Sequence, residues 1–86
     1  SKNDTAIINL SSLQKYHENK KINLDAPVDL KLLQKNQIIN KKFRKLKILG
    51  TGEIKSKIEV TANFISKQAQ SKIEKIGGKS NILKSK

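Results

Sequence analysis

Cysteine, methionine and tryptophan are missing from this chain of 86 residues, and histidine occurs once, as His17. Without cysteine, the chain has no disulfide scaffold, no cysteine nucleophile and no thiolate metal site. His17 lies in a polar stretch, where we expect an exposed side chain with no special role. The seven acidic residues are scattered and lack the spacing of metal ligands. The sequence therefore predicts no catalytic residue, no metal site and no cofactor, and we do not expect an enzyme.

Long hydrophobic runs are also missing. No run approaches the ~18 apolar residues that a membrane span needs, and the chain does not open with the apolar core of a signal peptide. These absences indicate a soluble protein, for which we expect neither a membrane partner nor a small-molecule substrate.

Aromatic residues make up only 3% of the chain. Tyr16, Phe43 and Phe64 are too few to form a platform on which single-stranded bases could stack. Because Phe64 adjoins the apolar end of a predicted strand, we expect it in the core, whereas the pattern leaves Phe43 open. The sequence thus favours contacts with phosphates over stacking on bases.

Positive charge is the most abundant feature: 19 lysine and arginine residues against 7 acidic ones give a net charge of +12. Such a charge repels itself in a compact domain and suits a polyanionic partner, with nucleic acid the first candidate. Only Arg44 is arginine, and lysine is a point charge suited to phosphate rather than to guanine edges. The composition favours binding to the backbone of a folded RNA. The alternative is a lysine-rich, non-catalytic domain that docks on acidic protein or anionic lipid.

The densest positive charge lies between residues 41 and 47. A solvated loop that leads into a lysine-protected edge strand would explain it without any partner. We favour a ridge that contacts phosphates and that continues across the following loop. From local charge, the predicted RNA-binding residues are Lys41, Lys42, Arg44, Lys45, Lys55, Lys57 and Lys67.

The chain length and the order of its elements predict a single small α/β domain with short mixed strands and about three helices. We expect residues 1–5 to be disordered, residues 6–83 to form the globular domain, and residues 84–86 to be a basic C-terminal end. Apolar patterning predicts short strands over residues 6–10, 45–48, 58–62 and 81–83.

Helix signals occur at three places. Ser11 or Ser12 can cap a short helix around Leu13, and Asp29 can cap a second helix that runs to about residue 35. Ser66 can cap the third, whose apolar stripe is Ala69, Ile73 and Ile76. On this third helix we expect a buried Ile73 and an exposed Lys72 whose replacement by alanine is nearly silent.

Gly50 and Gly52 are separated by one residue, as in part of a phosphate-binding loop. The third glycine and a Gly-Lys-Ser/Thr ending are both missing, so neither nucleotide-binding fingerprint is met. The sequence instead predicts a turn that joins two strands.

Three stretches occur together in the order and spacing of one family: residues 46–54 (LKILGTGEI), 58–62 (IEVTA) and 64–78 (FISKQAQSKIEKIGG). They resemble the C-terminal half of bacterial-type large-subunit ribosomal protein L fifteen. Residues 8–13 (INLSSL) and 28–33 (VDLKLL) are similar to the segments that precede it in that family. The likeness extends from about residue 7 to residue 83.

The resemblance implies an irregular superhelix of strand-strand-helix turns, in which Gly50 and Gly52 shape a hairpin and Gly77 and Gly78 end the last helix. It implies a structural role, namely binding of 23S-type ribosomal RNA during assembly of the large subunit. The implied partners are that RNA and neighbouring ribosomal proteins, with a monomer outside the ribosome. The implied location is the ribosome in the bacterial cytoplasm, or an organellar ribosome. Because the family has a Gly/Arg-rich N-terminal arm, we expect this chain to be the globular half of a longer protein.

Overall fold

The computed structural model describes residues 4–84, which form three helices and five strands. The helices are α1 (Leu10–Glu18), α2 (Leu30–Lys35) and α3 (Lys67–Lys75). The strands are β1 (Thr5–Asn9), β2 (Lys45–Leu49), β3 (Glu59–Ala62), β4 (Phe64–Ile65) and β5 (Lys79–Ile82). These elements confirm the predicted α/β class.

The strands form two small parallel sheets. One has the order β1-β2-β4, and the other pairs β3 with β5. Because β2 and β3 belong to different sheets, the predicted hairpin at Gly50 and Gly52 is wrong. The chain instead follows β3 directly with β4, then α3, then β5, which is a strand-strand-helix order.

Side-chain caps fix where the helices begin. Asp29 accepts a hydrogen bond from the Leu32 N–H at 2.9 Å, and Ser66 accepts one from the Ala69 N–H at 3.1 Å, so both predicted caps are confirmed. The cap of α1 is Asn9, rather than either of the two serines that follow it. Its Oδ1 accepts the N–H three residues further on at 2.9 Å, which is the usual geometry of such a cap.

At the N-terminus, the prediction that residues 1–5 are disordered does not hold for Asp4 and Thr5. Thr5 begins β1, and the Asp4 carbonyl accepts the backbone N–H groups of Arg44 and Lys45 at 2.8 and 3.0 Å. Asp4 and Thr5 are thus ordered by pairing with the start of β2, while residues 1–3 lie outside the described residues. At the other end, Lys84 is exposed, and residues 85–86 lie outside the described range.

The core is aliphatic. Its fully buried side chains include Leu10, Leu13, Leu24, Leu33, Leu46, Ile48, Ile58 and Ile73. Phe64 is 50% exposed, so its predicted place in the core is wrong. It occupies the exposed position of β4, and Ile65 takes the buried one. Phe43 is partly buried and packs against the edge of the core.

Two glycines mark where α3 ends. Gly77 has a φ of +82°, the left-handed conformation expected of the residue that closes a helix. Gly78 passes so close to the Ile58 carbonyl oxygen and to the Ile73 side chain that a Cβ atom would collide with both. The end of α3 is therefore pressed directly against the segment that enters β3.

Ile73 offers the sharpest test of this packing, because it lies on the inner face of α3 and its side chain is fully buried. Replacing it by alanine should lower the free energy of unfolding by about 2–4 kcal/mol, from lost burial and the cavity left behind. Ser71→Ala, on the exposed side of the same helix, should change it by less than about 0.5 kcal/mol. Denaturant unfolding measures both, and equal effects for the two variants would contradict this packing.

Candidate nucleic-acid interface

Four predicted cations lie on the segment of residues 41–45, which we call the basic segment. The side chains of Lys41, Lys42, Arg44 and Lys45 are all exposed. Their backbone is held in place, since the Asp4 carbonyl bonds the last two N–H groups. The basic segment therefore presents flexible charged side chains on a fixed backbone.

Two further contacts hold the middle of the basic segment. The Gln34 side-chain amide donates to the Phe43 carbonyl at 2.8 Å, and the Lys42 N–H donates to the Asn40 side chain at 2.8 Å. The Lys42 ammonium lies 5.2 Å from the centre of the Phe43 ring, a cation–π distance. Phe43 thus packs the basic segment against the core, while the charged side chains of that segment remain exposed.

The predicted cations Lys55 and Lys57 lie elsewhere, on the irregular segment of residues 50–58 that runs beside α3. Gln14 fixes this segment from α1. Its Oε1 accepts the backbone N–H groups of Lys55 and Ser56 at 2.9 and 3.1 Å, although the residue itself is only 7% exposed. A buried amide that satisfies two backbone donors fixes the position of the segment.

Lys72 fixes the same segment from α3. Its ammonium donates to the carbonyls of Gly50 and Gly52 at 2.6 and 2.7 Å. The expectation that Lys72 is a dispensable surface residue is therefore wrong, because two charge-assisted hydrogen bonds depend on it. Gly50 also lies against the first turn of α3, where a Cβ atom would come within 2.6 Å of the Ala69 nitrogen.

The seven predicted cations lie on the basic segment, on residues 50–58 and on α3. Lys55 lies in a groove that is also lined by Lys72 and Lys75 of α3. The Lys57 side chain lies close to Gly77, beside the end of α3. Lys67 is the exposed first residue of the same helix. The structure thus divides the predicted set between the basic segment and the surroundings of α3.

His17 has a structural role that the sequence did not predict. It is half-buried, and its Nδ1 accepts the backbone N–H of Leu24 at 3.0 Å, which ties the segment after α1 back to that helix. Residues 4–84 contain no cluster of three or more His, Cys, Asp or Glu side chains that could hold a metal ion. Over the same residues, none of the helices has the length and apolar character required to cross a bilayer.

Sequence comparison connects this arrangement with known proteins. The family of ribosomal proteins that comprises 50S-L15, 50S-L18e and their 60S counterpart matches residues 7–81, which include both groups of cations. The chain belongs to this family. Its members are ribosomal proteins by name, in agreement with the resemblance found in the sequence.

Individual members of the family show how far the likeness extends. The large ribosomal subunit protein uL15 of Pelagibacter ubique is 47% identical over 79 residues, covering 92% of this chain and 52% of the relative. The uL15 protein of Prochlorococcus marinus (strain MIT 9515) is 41% identical over 81 residues, or 94% of this chain and 49% of the relative. That of Mesoplasma florum is 42% identical over 77 residues, or 90% and 48%. The chain spans about half the length of these relatives.

Replacing Lys72 by methionine tests whether its ammonium fixes the segment beside α3. Methionine keeps much of the apolar stem but leaves the carbonyls of Gly50 and Gly52 without their donor. We expect the free energy of unfolding to fall by about 1–2 kcal/mol, below the full value of two charge-assisted bonds because Lys72 is half-exposed. Lys75→Met removes the same charge from an exposed position of the same helix and should be nearly silent. Equal unfolding transitions for the two variants would contradict the structural role.

Proposed function

We propose that this chain is the globular half of a structural protein of the large ribosomal subunit, and that it binds ribosomal RNA through lysine–phosphate contacts. Family membership supports the ribosomal role, because the relatives are named as large-subunit proteins. Its partners are the large-subunit RNA and neighbouring ribosomal proteins, and outside the ribosome it is a monomer. It acts in the cytoplasm of a bacterium or in an organelle, without a catalytic step.

The observation that supports RNA binding is the exposure of the predicted cations, whose side chains donate no hydrogen bond to other residues within 4–84. All seven predicted residues are exposed. Within residues 4–84, the lysine ammonium that donates hydrogen bonds to the protein is that of Lys72. The ammonium groups of the predicted lysines are thus available to phosphates, and the anchored backbone of the basic segment lowers the cost of ordering its side chains on binding.

A pair of charge variants tests the proposal. In the first, the four cations of the basic segment are changed to glutamine. In the second, four other exposed lysines are changed in the same way, so that both variants lose the same charge; these are Lys20, Lys21, Lys31 and Lys35. We expect only the first to lose most of its affinity for large-subunit ribosomal RNA. Its slope of log affinity against log salt should also shrink by about 0.7–0.9 for each phosphate that the variant no longer neutralises.

Comparing the two variants distinguishes RNA binding at the basic segment from attraction by net charge alone. Equal losses in the two variants would show that net charge alone drives binding and would contradict the basic segment as an RNA contact. Absence of salt-sensitive binding to RNA by the unmodified chain would contradict the function itself. Binding to vesicles of anionic lipid, without binding to RNA, would instead support the lipid-docking alternative.

A further inference from the structure

Three exposed side chains form a row across the three-stranded sheet. Ile7 of β1 pairs with Lys47 of β2, and Lys47 pairs with Phe64 of β4. Directly paired residues point to the same side of a sheet. We call these three residues the outer row. Their neighbours Ile8, Ile48 and Ile65 are buried, so the outer row lies on the side of the sheet away from the core.

Two members of the outer row are large apolar side chains that are exposed to solvent. Ile7 is 60% exposed and Phe64 is 50% exposed, and the other strongly exposed large apolar side chains of the described residues, Ile82 and Leu83, lie at the end of β5 and just after it. In the outer row these two apolar side chains stand on either side of a lysine.

The register of β4 holds the Phe64 ring outside. Asn63, just before β4, both donates its N–H to the Leu46 carbonyl at 3.0 Å and accepts the Leu46 N–H on its side chain at 2.9 Å. Just after β4, the Ser66 N–H donates to the Ile48 carbonyl at 3.0 Å. A slip of one residue would turn Phe64 inward, but it would expose Ile65 and break these bonds.

We propose that the outer row binds an unpaired nucleotide of RNA, with the base stacked on Phe64 and the adjoining phosphates on Lys47 and Lys45. This inference rests on the proposed function and adds to it a single-stranded element in the RNA. One exposed ring is too little for an extended platform but is enough for one base, since every base offers a π face to an aromatic side chain.

Charge favours RNA over an apolar protein surface as the occupant. Lys45 and Lys47 lie on this face, and none of the strand-paired residues on the same side is acidic. An apolar partner would bury Lys47 without a counter-charge, which is costly. A nucleotide covers the ring with its base and also brings the phosphate that the lysines require.

The absence of tryptophan from the chain makes stacking directly observable. In the variant Phe64→Trp, the only indole lies in the outer row. A short single-stranded oligoadenylate should quench its fluorescence, whereas an abasic strand of the same length should bind through its phosphates without comparable quenching. The matched control is Ile82→Trp, at a 47% exposed position of the other sheet, which should show little quenching with either strand.

Affinity provides the second measurement. Phe64→Ala should weaken binding of oligoadenylate by about fivefold or more, with no change in affinity for the abasic strand and no change in the unfolding transition. If the abasic strand quenches the Phe64→Trp variant equally, or if Phe64→Ala leaves the affinity for oligoadenylate unchanged, stacking is wrong. Salt-sensitive binding to ribosomal RNA that persists in those cases leaves the proposed function standing. Loss of all RNA binding by the unmodified chain would overturn both.

Discussion

Strands that pair in parallel cannot be joined by a tight turn, so each parallel pair in this domain needs a connection that returns along the sheet. Long parts of these connections, residues 19–27 and 50–58, contain neither helix nor strand, and their backbone groups need partners from other elements. Side chains of the helices supply several of them: His17 for the first segment, and Gln14 and Lys72 for the second. The irregular segments are thus fixed by polar side chains in the way that the strands are fixed by their ladders.

The fold also separates the aliphatic residues from the charged ones. Aliphatic side chains fill the interior, and the lysines stand outside on backbone that is already ordered. A net charge of +12 opposes compaction, and a polyanion that binds the folded form offsets this repulsion and stabilises the domain. The folded backbone also fixes where the cations lie. Those of the basic segment lie where the chain enters β2, on backbone anchored by Asp4, and Lys55 and Lys57 lie on the segment held by Gln14 and Lys72.

Features of the fold that depend on neighbouring residues could be predicted from the sequence. Features that depend on contacts between residues far apart in the chain could not. The caps Asp29 and Ser66 and the stripe along α3 follow from residues within a few positions of each other. The partners of β2 and the bonds of Lys72 depend on residues 17 to 40 positions away, which no local pattern specifies. The two-residue β4 is too short to show an alternation, so the sequence does not reveal that Phe64 takes its exposed position. For the site, the seven cations chosen from local charge are all exposed, and the elements that hold them in place are visible only in the packing.

Lys45 belongs to both proposed contacts and connects them in space. It ends the basic segment, and it also begins β2, where its side chain shares the outer face with Lys47 two residues on. Alternate residues of a strand lie about 7 Å apart on one face, so the lysines form a short positive track that leads from the basic segment to Phe64. An RNA backbone that follows this track brings its next base over the exposed ring. Phosphate binding alone would need only the lysines, and it would leave unexplained why the register of β4 keeps an aromatic side chain in water at the end of the track.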